Sequence, residues 1–180
     1  GLPWEVKCPK LIGVHLTGAL SGWTSPKDVI LKLCGILTTK GGTDAIIEFF
    51  GPGTRSISCT GKATIANMGA EVGATTSVFG FDERMMDYLK VTGREAVATL
   101  AQQHRTELIT DPEVEQDPKR FFDQLIEIDL SSLEPYIVGP RRPDTARPIS
   151  QLAKDVERDG FPPQLKAALR PGDVLLVDGD

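Results

Sequence analysis

Apolar and polar positions change period several times along the chain, and each change marks an element. Residues Leu11 to Thr17 alternate and carry β-branched side chains, which predicts a first strand followed by a Gly-Ala-Leu-Ser-Gly-Trp loop. Ser25-Pro26-Lys27-Asp28 predicts a helix start, with Ser25 as N-cap, Pro26 at the first helical position and an acid at the third. Val29, Ile30, Leu33, Ile36 and Leu37 then recur at helical spacing until Gly41-Gly42 stops the run. Asp44 to Phe50 is a short apolar run of the kind buried strands show, closed by Gly51-Pro52-Gly53. A segment of small residues follows and predicts a tightly packed helix from about Ser58 to Val72. Thr75 to Phe79 predicts another strand.

The alternation of strand and helix points to an α/β fold, a layered α/β/α domain with a mixed, partly parallel sheet. Beyond Phe81 the pattern turns helical. Asp82 caps a helix running to about Val91, and Gly93 separates it from a second helix, Arg94 to about Ile109. Gln124 to Leu130 predicts a strand near a sheet edge. Frequent prolines between Pro135 and Pro148 predict an extended connection, and a short helix is expected from Ser150 to about Arg158. No repeat of 20 to 50 residues is visible, which disfavours solenoids and propellers.

Composition narrows the classes. A 180-residue chain with 40% hydrophobic and 25% charged residues can bury a core and is unlike a disordered segment. Its net charge is −5 and no block of Lys or Arg is longer than the pair Arg141-Arg142, so the electrostatic footprint of nucleic-acid binding is missing. No window approaches the roughly 18 uncharged apolar residues of a membrane span, so no membrane association is expected. Three widely spaced cysteines, Cys8, Cys34 and Cys59, argue against a disulfide framework and for a reducing compartment.

Candidate chemistry is sparse. Asn67 and Glu71 stand four residues apart, and on a continuous helix that spacing puts an amide and a carboxylate on one face. Such a pair reads as an active-site edge or as a solvated polar stripe, and spacing alone favours the second. Gly61, Ala63, Ala66, Gly69, Ala70 and Gly73 tilt the balance back, because they leave room for a bulky neighbour. Gly61-Lys62-Ala63 fails the phosphate-loop pattern at its last position. His15 and His104 lack acids or cysteines at metal-ligand spacing, so structural roles are expected for both.

Four stretches carry a family resemblance: GWTSPKDVILKL at 22–33, KGGTDAIIEFFGPG at 40–53, SISCTGKATIANMGAEVGATTSVF at 56–79 and GPRRPDTARPIS at 139–150. Together they resemble the second domain of aconitate hydratases, most of all the mitochondrial type, over residues 1–169. Residues 170–180 form a divergent tail. The resemblance implies interconversion of citrate and isocitrate through cis-aconitate, using a four-iron four-sulfur (4Fe-4S) cluster as Lewis acid. Within the NMGAE motif it implies that Asn67 hydrogen-bonds near the cluster and that Glu71 contacts the hydroxyl or water bound there. The location it implies is the mitochondrial matrix or a bacterial cytoplasm.

Departures from the pattern are informative. Ala66 stands where the family often has a cysteine that is not a ligand, and Lys62 replaces a usual methionine. The Gly-Ser-Cys-Thr-Asn segment and later C-x-x-C that supply the cluster cysteines in the family are not found here. The chain is therefore expected to be a piece of a longer enzyme, inactive by itself, binding no cluster alone and depending on the remaining aconitase domains in cis or in trans. A different reading is a stand-alone binding or interaction module that kept the fold without the catalysis.

Overall fold

The computed structural model describes residues 3, 5, 7–139 and 143–159. The 170–180 tail and the Arg141-Arg142 part of the fourth motif lie outside the described residues. Among the described residues six strands and six α-helices follow in chain order: β1 (Lys10–Thr17), α1 (Pro26–Leu37), β2 (Ala45–Phe50), α2 (Cys59–Asn67), β3 (Thr76–Phe79), α3 (Glu83–Val91), α4 (Glu95–Gln103), α5 (Pro112–Gln116), β4 (Gln124–Asp129), β5 (Tyr136–Ile137), β6 (Arg147–Pro148) and α6 (Leu152–Asp159).

The main sheet has the order β3-β2-β1-β4 with every pair parallel, while among the described residues antiparallel pairing is found in the β5–β6 ribbon and in a bridge between Thr43 and Ala74. Parallel neighbours need crossovers, and the expected right-handed sense puts α1 and α2 on one face and the β3-to-β4 connection on the other. Strand parity agrees. Ile12, Val14 and Leu16 of β1, Ile47 and Phe49 of β2, and Ile126 and Ile128 of β4 share a core with Val29, Ile30 and Leu33 of α1 and Ile65 of α2. The opposite face carries a smaller cluster of Phe50, Val114 and Phe122. A side chain at Gly13 would overlap the Phe122 ring, so this thinner layer lies directly on β1.

α1 begins as its sequence dictates. Pro26 takes a first-turn position whose N–H would have no partner, and the Ser25 amide and hydroxyl donate to Asp28 Oδ2 at 2.6 and 2.9 Å. Asp28 does more than cap, because its Oδ1 accepts from the Tyr136 amide at 2.7 Å and so ties α1 to β5. The proline-rich stretch is therefore anchored at both ends. Tyr136 pairs with Pro148 in the ribbon, and a tight turn fills Pro143–Thr145.

Candidate functional site

The small-residue helix predicted from Ser58 to Val72 is shorter than its sequence suggests. Ser58 accepts from the Gly61 amide at 3.0 Å and starts α2, which ends at Asn67; Met68–Val72 is a separate 3-10 turn closed by Gly73 at φ 79°. Two contacts distant in sequence explain the break. A Cβ on Gly69 would overlap Ser77 Oγ, so the backbone presses onto β3, and the Gly42 amide donates to the Val72 carbonyl at 2.9 Å. Those contacts hold the last turn tight.

Asn67 and Glu71 both remain exposed, and neither side chain makes a hydrogen bond or ion pair among the described residues. Their relative direction changes. Four residues span about 400° on an α-helix but about 480° on a 3-10 helix, so the offset between the two side chains grows from about 40° to about 120°. Ideal 3-10 geometry thus separates them further around the axis than a continuous α-helix would.

Each residue has its own surroundings. Asn67 lines an open depression of about 530 Å³ with Lys27, Thr60, Ala63, Thr64 and Met68. Glu71 lies near enough to Cys34 of α1 that its charge, with that of Asp144, adds to burial in raising the thiol to about 11. Lys27 reaches the depression because α2 packs close to the start of α1. A Cβ on Gly61 would sit 2.6 Å from Pro26 Cγ, so only glycine permits that approach. The sequence marked Lys27 as nothing more than part of a helix start; a glycine facing a proline 35 positions away carries no local signal.

Beneath this face lies a charge that sequence reading also missed. Lys62 is 2% exposed, and its ammonium pairs with Asp82, which accepts from the Met85 amide at 3.1 Å as the N-cap of α3. The Lys62 Nζ also lies 5.9 Å from the centroid of the Phe79 ring, and Phe79 stacks on Phe49.

Two other places were open to chemistry. In a parallel sheet of this order the crevice at the switch point falls between the ends of β1 and β4. Here it is filled: Gly18 presses on Asp129 and Ser131, the Ala19 amide donates to Ser131 Oγ at 3.2 Å, and the Ser131 amide donates to Asp129 Oδ1 at 2.9 Å. His15 stacks on Phe50 with 5.0 Å between centroids, and His104 sits exposed beside Glu107. Cys8, Cys34 and Cys59 are respectively exposed, buried in α1 and at the start of α2, and the described residues hold no cluster of three or more His, Cys, Asp or Glu suited to a metal. They do not fit a resident iron–sulfur cluster.

Comparison with known proteins gives this face a context. Residues 1–173 match the family model described as Aconitase family (aconitate hydratase). The chain is 56% identical over 168 residues to the mitochondrial aconitate hydratase of Schizosaccharomyces pombe, covering 93% of the chain and 20% of that protein. It is 57% identical over 169 residues to the mitochondrial aconitate hydratase of Emericella nidulans, and 54% identical over 169 residues to a probable mitochondrial aconitate hydratase of Dictyostelium discoideum, covering 94% of the chain and 21% of each. The chain thus spans about a fifth of the length of these curated relatives.

Proposed function

Because the chain belongs to the aconitase family, we propose that it serves as the domain of an aconitate hydratase that presents Asn67 and Glu71 to a substrate held by the rest of the enzyme. The reaction is the interconversion of citrate and isocitrate through cis-aconitate, by loss and readdition of water. The observation that carries the reading is the state of the two side chains. An exposed amide and an exposed carboxylate project from a ridge pinned to β3 and to the α1–β2 loop, and neither is engaged within the described residues.

Each has a defined task in this chemistry. The Glu71 carboxylate accepts a hydrogen bond from the hydroxyl that leaves or from the water that returns, and so sets its direction. The Asn67 amide donates to oxygen that gains charge as the C–O bond lengthens, and accepts through its carbonyl from a neighbouring hydroxyl. Fixed polar groups of this kind act strongly in a site closed to water, because they need no reorientation as charge develops. The aconitase family implies a 4Fe-4S cluster in the full enzyme; its ligands come from parts of the enzyme other than the residues described above.

The remaining domains are the partners, in cis or in trans. Trp23, 95% exposed in the loop after β1, supports a surface that other domains cover. Among the described residues no helix is long and apolar enough to cross a membrane. The relatives' names support a mitochondrial location; the matrix, or a bacterial cytoplasm, is the compartment this reading assigns.

The test uses the full-length enzyme that contains this chain. Asn67→Ala and Glu71→Gln should each lower kcat by about 100-fold or more, with far-UV circular dichroism and cluster absorbance unchanged. Variants that keep kcat within about threefold of the parent would overturn the assignment.

A further inference from the structure

No hydrogen bond or ion pair among the described residues holds the Glu71 carboxylate, so its position is set by the backbone that carries it. That backbone is the turn Met68–Val72, and it is held on both sides of Glu71. On one side the Val72 carbonyl accepts from the Gly42 amide at 2.9 Å, and the Val72 side chain is fully buried. On the other, the Gly69 carbonyl accepts from the Ala74 amide at 3.1 Å, and Gly69 lies so close to the Ser77 hydroxyl that a Cβ would overlap it.

The two hydrogen bonds and the burial of Val72 stabilise the fold, but the Ser77 hydroxyl does not. Its oxygen is buried with no hydrogen-bond partner among the described residues, a cost that alanine at the same place in β3 would avoid. Groups kept at the expense of stability gather where function needs them. Ser77 stands on a strand of the parallel sheet, paired in register with Ile47 of β2, and so gives the turn a rigid stop.

We infer that Ser77 is a positioning residue for Glu71: its hydroxyl, lodged against Gly69, fixes how far the turn stands from β3 and thereby where the carboxylate meets substrate. The inference rests on the reading that Glu71 faces substrate. Ser77 itself touches no reacting atom. Removing its oxygen leaves a small gap into which the turn settles, and misplacing a group that orients a reacting hydroxyl slows the chemical step more than it weakens binding.

The experiment compares Ser77→Ala, Glu71→Ala and the double variant in the full-length enzyme that contains this chain. Ser77→Ala should lower kcat by about fivefold or more and leave the KM for citrate within about twofold. It should melt no lower than the parent, so activity and stability part company. In the Glu71→Ala background the same change should have no further effect on kcat, because the carboxylate it positions is gone; a general loss of packing would not produce that non-additivity. Ser77→Ala with kcat within about twofold of the parent, beside a Glu71→Ala that loses its activity, overturns the inference and leaves the reading of Glu71 intact. An equal loss of kcat in both backgrounds overturns it as well, since Ser77 then acts through something other than Glu71. So does a Ser77→Ala melting temperature lower by more than about 2 °C, which would mark the lost activity as lost fold. If Glu71→Ala keeps the parent's kcat, the reading and the inference fall together.

Discussion

Lys62 and Asp82 face each other across the junction of α2 and α3 as an ion pair whose side chains are 2% and 12% exposed. One member lies under the helix that ends at Asn67, and the other caps the next helix. Removing the cation leaves the acid in a nearly dry site. Breaking a buried pair from one side costs about 3–5 kcal/mol, whereas replacing both members by neutral groups of similar size is often neutral. Lys62→Met should therefore destabilise the chain by a few kcal/mol, and the Lys62→Met/Asp82→Asn double variant should recover most of the loss, since Asn also caps helices. Urea unfolding of the four proteins in a double-mutant cycle measures the coupling; additive effects would contradict the pairing.

The turn below Glu71 depends on a missing side chain. Gly69 abuts Ser77, whose hydroxyl is buried without a hydrogen-bond partner among the described residues. Gly69→Ala should cost about 1–3 kcal/mol through overpacking. Ser77→Ala should by itself be neutral or slightly stabilising, because an unpaired buried hydroxyl is removed. Combined with Gly69→Ala it should restore much of the loss. Thermal melts of the two single variants and the double decide the matter.

Cys34 gives a pH signature. Burial, followed by the charges of Glu71 and Asp144, raises its thiol from 9.0 to about 11. The native chain then holds a proton that the unfolded chain releases, so the associated stability is intact below about pH 9 and is lost as pH rises toward 11. Relative to Cys34→Ala, the parent should lose up to about 1.4 kcal/mol per pH unit across that window, read from urea midpoints. A thiol reagent at pH 8 should modify exposed Cys8 at once and Cys34 only after denaturation.

Asp28 should be costly to lose for reasons that lie outside its own helix. Asp28→Ala removes the acceptor for the Ser25 amide and hydroxyl and for the Tyr136 amide together. A loss of about 2–4 kcal/mol is expected, since hydrogen bonds to a charged group contribute about 1.5–3 kcal/mol each and are not additive. Hydrogen exchange should show added opening around Tyr136 and Ile137 as well as at the start of α1. Protection confined to its former level at Tyr136 would show that the tie carries no weight.

Much of this molecule was legible from one chain. Alternation placed β1 within a residue of its true start, the Ser25-Pro26-Asp28 signal marked the beginning of α1, and Asp82 capped α3 as its position suggested. The second helix after Gly93 ended earlier than expected, at Gln103, with a short turn at Arg105–Glu107 after it. Long motifs also sufficed to identify the family. These signals are local. They arise from side-chain periodicity and caps within a few residues, which the chain carries wherever it folds.

What the sequence could not decide is what distant segments impose on one another. The sequence of Met68-Gly69-Ala70-Glu71 does not say that the α-helix ends at Asn67; the contact of Gly69 with Ser77 and the bond from the Gly42 amide to Val72 tighten the next turn from neighbouring elements. The all-parallel strand order, the Asp28 tie 108 positions away and the Lys62–Asp82 pair 20 positions apart belong to the same class. Each is a contact whose energy exists only once the chain has brought its partners together, so no window of residues contains it.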